Sequence, residues 1–448
     1  MANYKMYETY KDSGVGLIGE IPGHWKISKI KFTTYVKGRI GWQGLKADEF
    51  INEGPYLVTG TDFAEGIINW KSCYHINKKR YDEAPPIQLK EDDLLITKDG
   101  TIGKIAIVQN KPEYAIVNSG VFVTRPNGLF YLVKFMYWIL NSNIFTKYVD
   151  YSSLGSTIIH LYQETFKNFS FPICSLEEQK KIIEFLNNKT SYIDSIIDDK
   201  ENLINLLKEK RQAIITETVT RGLNSNVKMK DSGVGWIGEI PEHWNSVIFK
   251  RIIKGIKDGT HGTHERVNEG ELLLSAKNIK DDTIIISDSD SKISFEEYEK
   301  IVSSGYPAKG DILLCCVGTI GRSCVYNYDK TFAFQRSVAF IRLKNNENEY
   351  FYNYFIQTQM YQEHLMSYAN TSAQSGVYMN NIINTYVLNV PLNEQIQIVK
   401  YLNIKVNEIN NFVSDINEQI KKLKEYRQSL ISEVVTGKVD VRDYYKEG

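Results

Sequence analysis

Several residue patterns in this chain could carry chemistry. Gly14-x-Gly16-x-x-Gly19 and Gly233-x-Gly235-x-x-Gly238 have the glycine spacing of a dinucleotide fingerprint. That fingerprint needs an apolar strand before it and a helix after it, whose N–H groups meet pyrophosphate. Here polar Tyr-Lys-Asp-Ser precedes the first copy, and Pro22 or Pro241 follows three residues after the last glycine. We read both as turns that dock Trp25 and Trp244. Gly100-Thr-Ile-Gly-Lys104 resembles a shortened phosphate loop but lacks the GxxxxGK[ST] spacing. It could still grip a DNA phosphate. No Asn-Pro-Pro-Tyr or Asp-Pro-Pro-Tyr occurs, and Asp-x-Lys at Asp198–Lys200 and Asp290–Lys292 is a common chance pattern. His261-x-x-His264 offers two metal ligands and no evident third. No nucleophile–base set stands out, so the chain reads as non-catalytic and metal-free. Two basic stretches remain. Lys26, Lys29, Lys31, Lys37, Arg39 and Lys46 lie in a run without an acid, and Lys250, Arg251, Lys254, Lys257 and Arg266 face only Asp258 and Glu265. Lysines of this kind position a domain on phosphates, while Gln, Asn, Arg and hydroxyls read base edges.

The elements that must position these residues are written twice. Lys11–Trp25 recurs as Lys230–Trp244 with two differences, at an offset of 219. Asp93…Gly100-Thr-Ile-Gly-Lys104 recurs as Asp311…Gly318-Thr-Ile-Gly-Arg322, and Lys208–Glu217 recurs as Lys424–Glu433. Three anchors in one order mean a tandem duplication, and between them the copies diverge almost completely. Each copy closes with a long amphipathic helix. The first opens at Ser175-Leu-Glu-Glu178, a capping box, and stops before Gly222. Its apolar residues fall at heptad spacing: Leu186, Ile193, Leu207 and Ile214 on one seam, Ile182, Ile196 and Leu203 on the other. The second helix repeats the frame with Leu402, Ile409, Ile416, Leu423 and Leu430, then Ile398, Phe412 and Tyr426. About 45 residues at 1.5 Å give a rod of roughly 65 Å. With only Leu223–Met229 between the first helix and the second copy, domain two must sit at the rod's far end. The second helix then runs back antiparallel, with pseudo-twofold symmetry. The inserts at 26–171 and 245–390 read as mixed α and β. Ile105–Val108, Val121–Thr124, Thr283–Ile286 and Ser337–Arg342 look like strands, and Phe130–Leu140 and Tyr350–Tyr361 look like helices.

Bulk properties bound the possibilities. The 448 residues suffice for two or three domains, and 54 basic residues balance 54 acidic ones. That balance disfavours a non-specific nucleic-acid coat but allows basic residues gathered on one face. Five cysteines without CxxC spacing argue against a disulfide framework or a zinc knuckle. The longest apolar stretch, Tyr131–Leu140, is too short for a bilayer, and Met1–Tyr10 has no signal-peptide core. A cytoplasmic protein without membrane contact is expected.

Taken together, the paired Lys-Asp-Ser-Gly-Val-Gly-x-Ile-Gly-Glu-Ile-Pro-x-His-Trp segments, both Gly-Thr-Ile-Gly turns and the Pro-flanked helices entered through Glu178-Gln179 and Glu394-Gln395 carry a resemblance. The chain resembles the specificity subunit of a type I restriction–modification system, and Asp258-Gly-Thr-His261 also resembles a segment of that family. The resemblance implies an α+β chain: two pseudo-twofold-related mixed α/β target-recognition domains separated by two long antiparallel coiled-coil helices. The corresponding bounds are 1–174 for domain one, 175–222 for the first helix, 223–391 for domain two, 392–437 for the second helix and 438–448 for a tail.

Each domain would read one half of a bipartite, asymmetric DNA target. The helices, shared by both copies, would dock two methyltransferase subunits, with two restriction/translocase subunits in the full complex. S-adenosylmethionine, ATP and Mg would then lie on those partners, with no cofactor on this chain. Half-sites on one face of DNA lie about 34 Å apart. The rod exceeds that, so the domains reach inward or the DNA bends. The family has no fixed base-reading residues to carry over, so DNA-binding candidates come from local chemistry. They are Gln43, Lys46, Lys98, Thr101, Lys104, Ser153, Ser156 and Thr157 in domain one. In domain two they are His261, Thr263, Arg322, Gln335, Arg336, Ser372 and Gln374. The competing readings are a coiled-coil adaptor that joins proteins without touching DNA, and an autonomous nuclease, which the lack of a metal cluster makes weakest.

Overall fold

A computed structural model describes residues 4–38, 45, 47–152, 160–280, 282–369 and 376–444. It divides into two compact units, one formed by Met1–Lys200 with Asn417–Gly448 and the other by Glu201–Ile416.

Both units repeat one topology despite their unrelated inserts. In the first, the strands run in the order Thr34–Gly38, Val121–Pro126, Leu94–Thr97, Ile105–Ile107, all antiparallel, with the hairpin Phe63–Ala64/Ile67–Ile68 at the edge. The second unit has the matching order Ile253–Asp258, Val338–Leu343, Ile312–Cys315, Ser323–Val325. A three-stranded sheet packs beside each: Ala115–Val117, Phe50–Val58 and Tyr74–Ile76, or Lys292–Ile293, Glu271–Leu274 and Ala333–Phe334. The central strands Leu94–Thr97 and Ile312–Cys315 are buried throughout, as unbroken apolar runs should be. The repeated aspartates have a structural task. Asp93 takes a bidentate pairing from Arg125 (2.5 and 2.8 Å), and Asp311 takes the same from Arg342 (2.8 and 2.7 Å). Burial pushes the Asp93 carboxyl above its ordinary value, against the pull of Arg125. The strands expected at 105–108, 121–124 and 337–342 lie within a residue or two of Ile105–Ile107, Val121–Pro126 and Val338–Leu343. The one expected at 283–286 is cut to the two-residue Thr283–Ile284, one arm of the short hairpin with Ile279–Lys280. The helix expected over Tyr350–Tyr361 is two, Glu349–Ile356 and Gln359–Ser367. Thr358 breaks it by capping the second, its Oγ1 accepting from the Tyr361 N–H.

The glycine motifs close hairpins. Tyr10–Asp12 pairs with Glu20–Pro22, and Met229–Asp231 with Glu239–Pro241. Gly14 and Gly19 take φ of 69° and 71°, a left-handed backbone that other residues resist. Pro22 and Pro241 end strands, so no helix follows to receive a pyrophosphate.

The long helices span Leu176–Arg221 and Leu392–Val435. Within the first unit their stretches run antiparallel: Lys200 donates to Gln419 (2.7 Å) and Arg427 pairs with Asp194 (2.8 Å). Within the second unit, Ile215 and Val219 share a core with Ile398, Val399, Leu402 and Val406. The seams differ in part from the expected frame. Ile182, Leu186, Ile193, Ile398, Leu402, Ile409, Ile416 and Leu430 are buried, and Ile196, Leu207, Ile214, Leu423 and Tyr426 are partly so. Leu203 and Phe412 are exposed, at 44% and 59%. The second buried line is instead Thr190, Ile197 and Ile204 on one helix and Val399, Val406 and Ile420 on the other. Steps of three and four residues both land near a seam, and the partner's position selected the four-residue step after Leu186 and Ile193.

Candidate nucleic-acid interface

Each domain is fixed to its helix by the Glu-Gln pair. Glu178 is buried and receives Tyr7 OH (2.7 Å) and Trp25 Nε1 (3.0 Å), with His24 Nε2 at 3.1 Å. Burial first, and then the Glu178 carboxylate, push the Tyr7 phenol well above its ordinary range. The expected capping box is therefore half made. Ser175 Oγ accepts the Glu178 N–H (3.2 Å), while the Glu178 side chain serves the His-Trp segment. Glu394 receives Trp244 Nε1 (3.1 Å) and meets His243 (3.0 Å) in the same way. Gln179 accepts the Leu132 N–H and donates to the Cys174 carbonyl, and Gln395 does so for Asn348 and Val390.

On that frame, one end of each main sheet gathers the polar loops. In the first domain, Gly38, Val121, Thr97 and Ile105 end or begin their strands side by side, with Phe122 opposite Gly38, Val121 opposite Thr97 and Ile105 opposite Ile96. Lys98, Thr101 and Lys104 share the turn at this edge. Thr97 Oγ1 donates to the Thr101 carbonyl (2.5 Å) and accepts the Lys104 N–H (2.9 Å). Gly100 and Gly103, at φ 67° and 82°, let the chain reverse there. Thr101 and Lys104 are exposed, and Lys98 lies half-buried over the Phe122 ring at 5.3 Å. The Leu161 N–H bonds the Lys98 carbonyl (3.0 Å), which brings the 160–162 segment alongside. Gln43, Lys46, Ser153, Ser156 and Thr157 lie outside the described residues.

The second domain builds the same edge. Asp258 lies opposite Ala339 and Cys315 opposite Val338, so the loop after Asp258, the turn before Val338 and the Gly318–Arg322 turn meet. The Arg336 N–H bonds the Thr260 carbonyl (3.0 Å), and the Cys316 N–H bonds the Ser337 carbonyl (2.8 Å). His261, Thr263, Arg322 and Arg336 are exposed and Gln335 is half-buried. His261 and His264 do not converge: His261 meets Asp258 (2.6 Å), whereas His264 is held by Thr260 (2.8 Å) and Glu297 (3.2 Å). Asp290 takes Lys277 and Asn278 as partners, not Lys292. Among the described residues no group of three or more His, Cys, Asp or Glu could hold a metal ion. Ser372 and Gln374 lie outside the described residues.

The structure adds Asn118 and Ser119 to the first domain's edge. They occupy the place of Gln335 and Arg336, since the Lys98 N–H bonds the Gly120 carbonyl (2.9 Å) as Cys316 bonds Ser337. An offset of 217, intermediate between those of the anchors, carries one triplet onto the other, but the two triplets share no residue that would mark the match in the sequence.

The fold and site are thus those of a duplicated protein: two sheet domains with polar, partly basic loop edges, each latched to a long paired helix. The family described as type I restriction modification DNA specificity domain matches residues 38–208 and again 267–422. The putative type I restriction enzyme MjaX specificity subunit of Methanocaldococcus jannaschii is 24% identical, over 95% of this chain and 96% of its own. The EcoBI specificity subunit of Escherichia coli is also 24% identical, over 78% of this chain and 74% of its own. A solved structure, titled for complex assembly and conformational transition of the type I R-M system, shares the fold at TM-score 0.68 and 16% identity, covering 94% of this chain and 99% of that one. The chain belongs to the type I restriction–modification DNA specificity family, as a specificity subunit with DNA-recognition domains. An adaptor that never touches DNA is not favoured. No helix among the described residues is long and apolar enough to cross a membrane.

Proposed function

We propose that each domain reads one half of a bipartite, asymmetric DNA sequence through the loop edge of its main sheet, and that the chain itself catalyses nothing. The paired helices, common to both copies, would dock two methyltransferase subunits in the cytoplasm, joined by two restriction/translocase subunits in the full complex. S-adenosylmethionine, ATP and Mg belong on those partners in this reading. The observation that carries it is the convergence, at the same sheet end in both copies, of the glycine turn, the turn before Val121–Pro126 or Val338–Leu343, and the segment running into the next helix. In that segment the Val377 N–H bonds the Cys316 carbonyl (2.9 Å) as the Leu161 N–H bonds that of Lys98 (3.0 Å). Lys104 and Arg322 stand at equivalent exposed places there. They suit phosphate contacts, which position without reading sequence.

Salt titration of duplex binding by the full chain, with its methyltransferase partner present, tests this reading. Affinity should fall steeply with salt, and Lys104→Ala or Arg322→Ala should each lower the slope by about one. Affinity independent of salt would restore the adaptor.

A further inference from the structure

The turn entering Val121–Pro126 in one domain and Val338–Leu343 in the other is built alike in both, although its sequence is not. In the second domain Gln335-Arg336-Ser337 joins Ala333–Phe334 to Val338–Leu343. In the first, Asn118-Ser119-Gly120 joins Ala115–Val117 to Val121–Pro126. The Gln335 N–H bonds the Leu274 carbonyl (2.8 Å) as the Asn118 N–H bonds that of Val58 (2.9 Å). The Val338 N–H closes on the Gln335 carbonyl (3.2 Å) as the Val121 N–H closes on that of Asn118 (3.2 Å). One backbone therefore holds two side-chain sets at the loop edge, and this is how a shared frame can present different readers.

We propose that Asn118 and Ser119 are specificity-determining residues of the first recognition domain, with Asn118 presenting its amide N–H to an acceptor on a base edge. The inference rests on the loop edge being the DNA-reading surface. The orientation of Asn118 follows from its own contact: its Oδ1 accepts the Ser119 N–H (2.7 Å), which fills one of that oxygen's two acceptor sites and turns the amide so that the NH2, with both its donors, is the group offered for reading. An NH2 offered in this way meets a major-groove acceptor: guanine O6 or N7, adenine N7, or thymine O4. Gly120 permits a direct exchange. Its φ is not left-handed, and a Cβ there would meet only Asp99, at 3.8 Å or more.

The test is selection of bound or methylated sites from randomised duplexes by the full chain with its methyltransferase partner. Asn118→Ala should relax one base position of one half-site by about 5- to 150-fold and leave the other half-site unchanged. The triple change Asn118→Gln, Ser119→Arg, Gly120→Ser should alter the preference at that same half-site, and because it keeps the backbone it decides the matter should Asn118→Ala fold poorly. Unchanged selection by these variants while Arg336→Ala relaxes the other half-site overturns the proposal and leaves the reading of the edge intact. Unchanged selection by all of them, Arg336→Ala included, overturns both. Uniform weakening on every sequence makes residues 118–119 phosphate contacts, and that too overturns the proposal.

Discussion

Glu178 and Glu394 show how one residue type in one motif carries different weight in its two settings. Glu178 accepts from Tyr7 and Trp25 and also meets His24, and its side chain is 5% exposed. Glu394 serves His243 and Trp244, and its side chain is 31% exposed. Removing a buried acceptor strands its donors, which costs more than the bond contributed. We expect Glu178→Ala to destabilise by about 3 kcal/mol and Glu394→Ala by about 1 kcal/mol. Urea denaturation of the two variants checks the order, and equal losses would contradict it. The Glu-Gln dipeptides were visible in the sequence as markers of the helix starts. Their partner Trp25 was visible as the end of a repeated segment. That the carboxylate grips the indole was not, because 153 residues separate them.

At the scale of elements, the heptad frame fixed which helices pair but left the second seam line open. Ile204 is 7% exposed and Leu203 is 44% exposed, although they are adjacent and equally apolar. Ile204→Ala should therefore cost about 2–4 kcal/mol and Leu203→Ala less than about 1 kcal/mol. Thermal melts of both variants test the register, and the reverse order would move the seam back to Ile196 and Leu203. The domains are also pinned to the helix flanks by bonds that recur at an offset of 216. Gln428 Nε2 donates to the Asn141 carbonyl (2.7 Å), and Gln212 Nε2 to that of Gln357 (2.8 Å). Trp138 Nε1 reaches Asn187 (3.3 Å), and Tyr354 OH reaches Asn403 (2.8 Å). The copies part at the neighbouring arginine: Arg211 pairs with Asp282 on a hairpin tip, whereas Arg427 pairs with Asp194 on the other helix.

For the whole molecule, the end of the chain completes the unit that its beginning starts. Val439 and Val441 are buried, Asp440 N–H bonds the Lys5 carbonyl (2.8 Å), and Lys438 Nζ bonds that of Glu20 (2.7 Å). Gly437, at φ 72°, lies where any Cβ would strike Pro22, as Gly222 lies against Trp244 in the other unit. Burial alone would raise the Asp440 carboxyl, but the Arg442 guanidinium (2.7 and 3.0 Å) and the Arg442 N–H hold it below the ordinary range. A carboxylate held low in the folded state adds stability above its unfolded pKa of about 4, and that stability is lost as pH falls through the depressed value. Amide protection over residues 438–443 should therefore drop below about pH 4. Asp440→Asn should lower protection at neutral pH and remove the additional acid drop. A pH-independent protection profile in the unaltered chain would show that Asp440 is not the latch.

The sequence by itself determined the duplication, the two long helices, the glycine turns as turns, and a few of the strands inside the divergent inserts, such as Val121–Pro126 and Val338–Leu343. Each of these is a matter of local spacing: offsets, heptads and period-two runs depend only on neighbouring residues. Tertiary structure decided the rest. Which heptad flank is buried depends on the partner helix, and where Glu178, Asp93 and Asp311 spend their charge depends on residues tens to hundreds of positions away. The equivalence of Asn118-Ser119 with Gln335-Arg336 is carried by strand register and backbone hydrogen bonds, since their side chains share almost nothing for a sequence comparison to find.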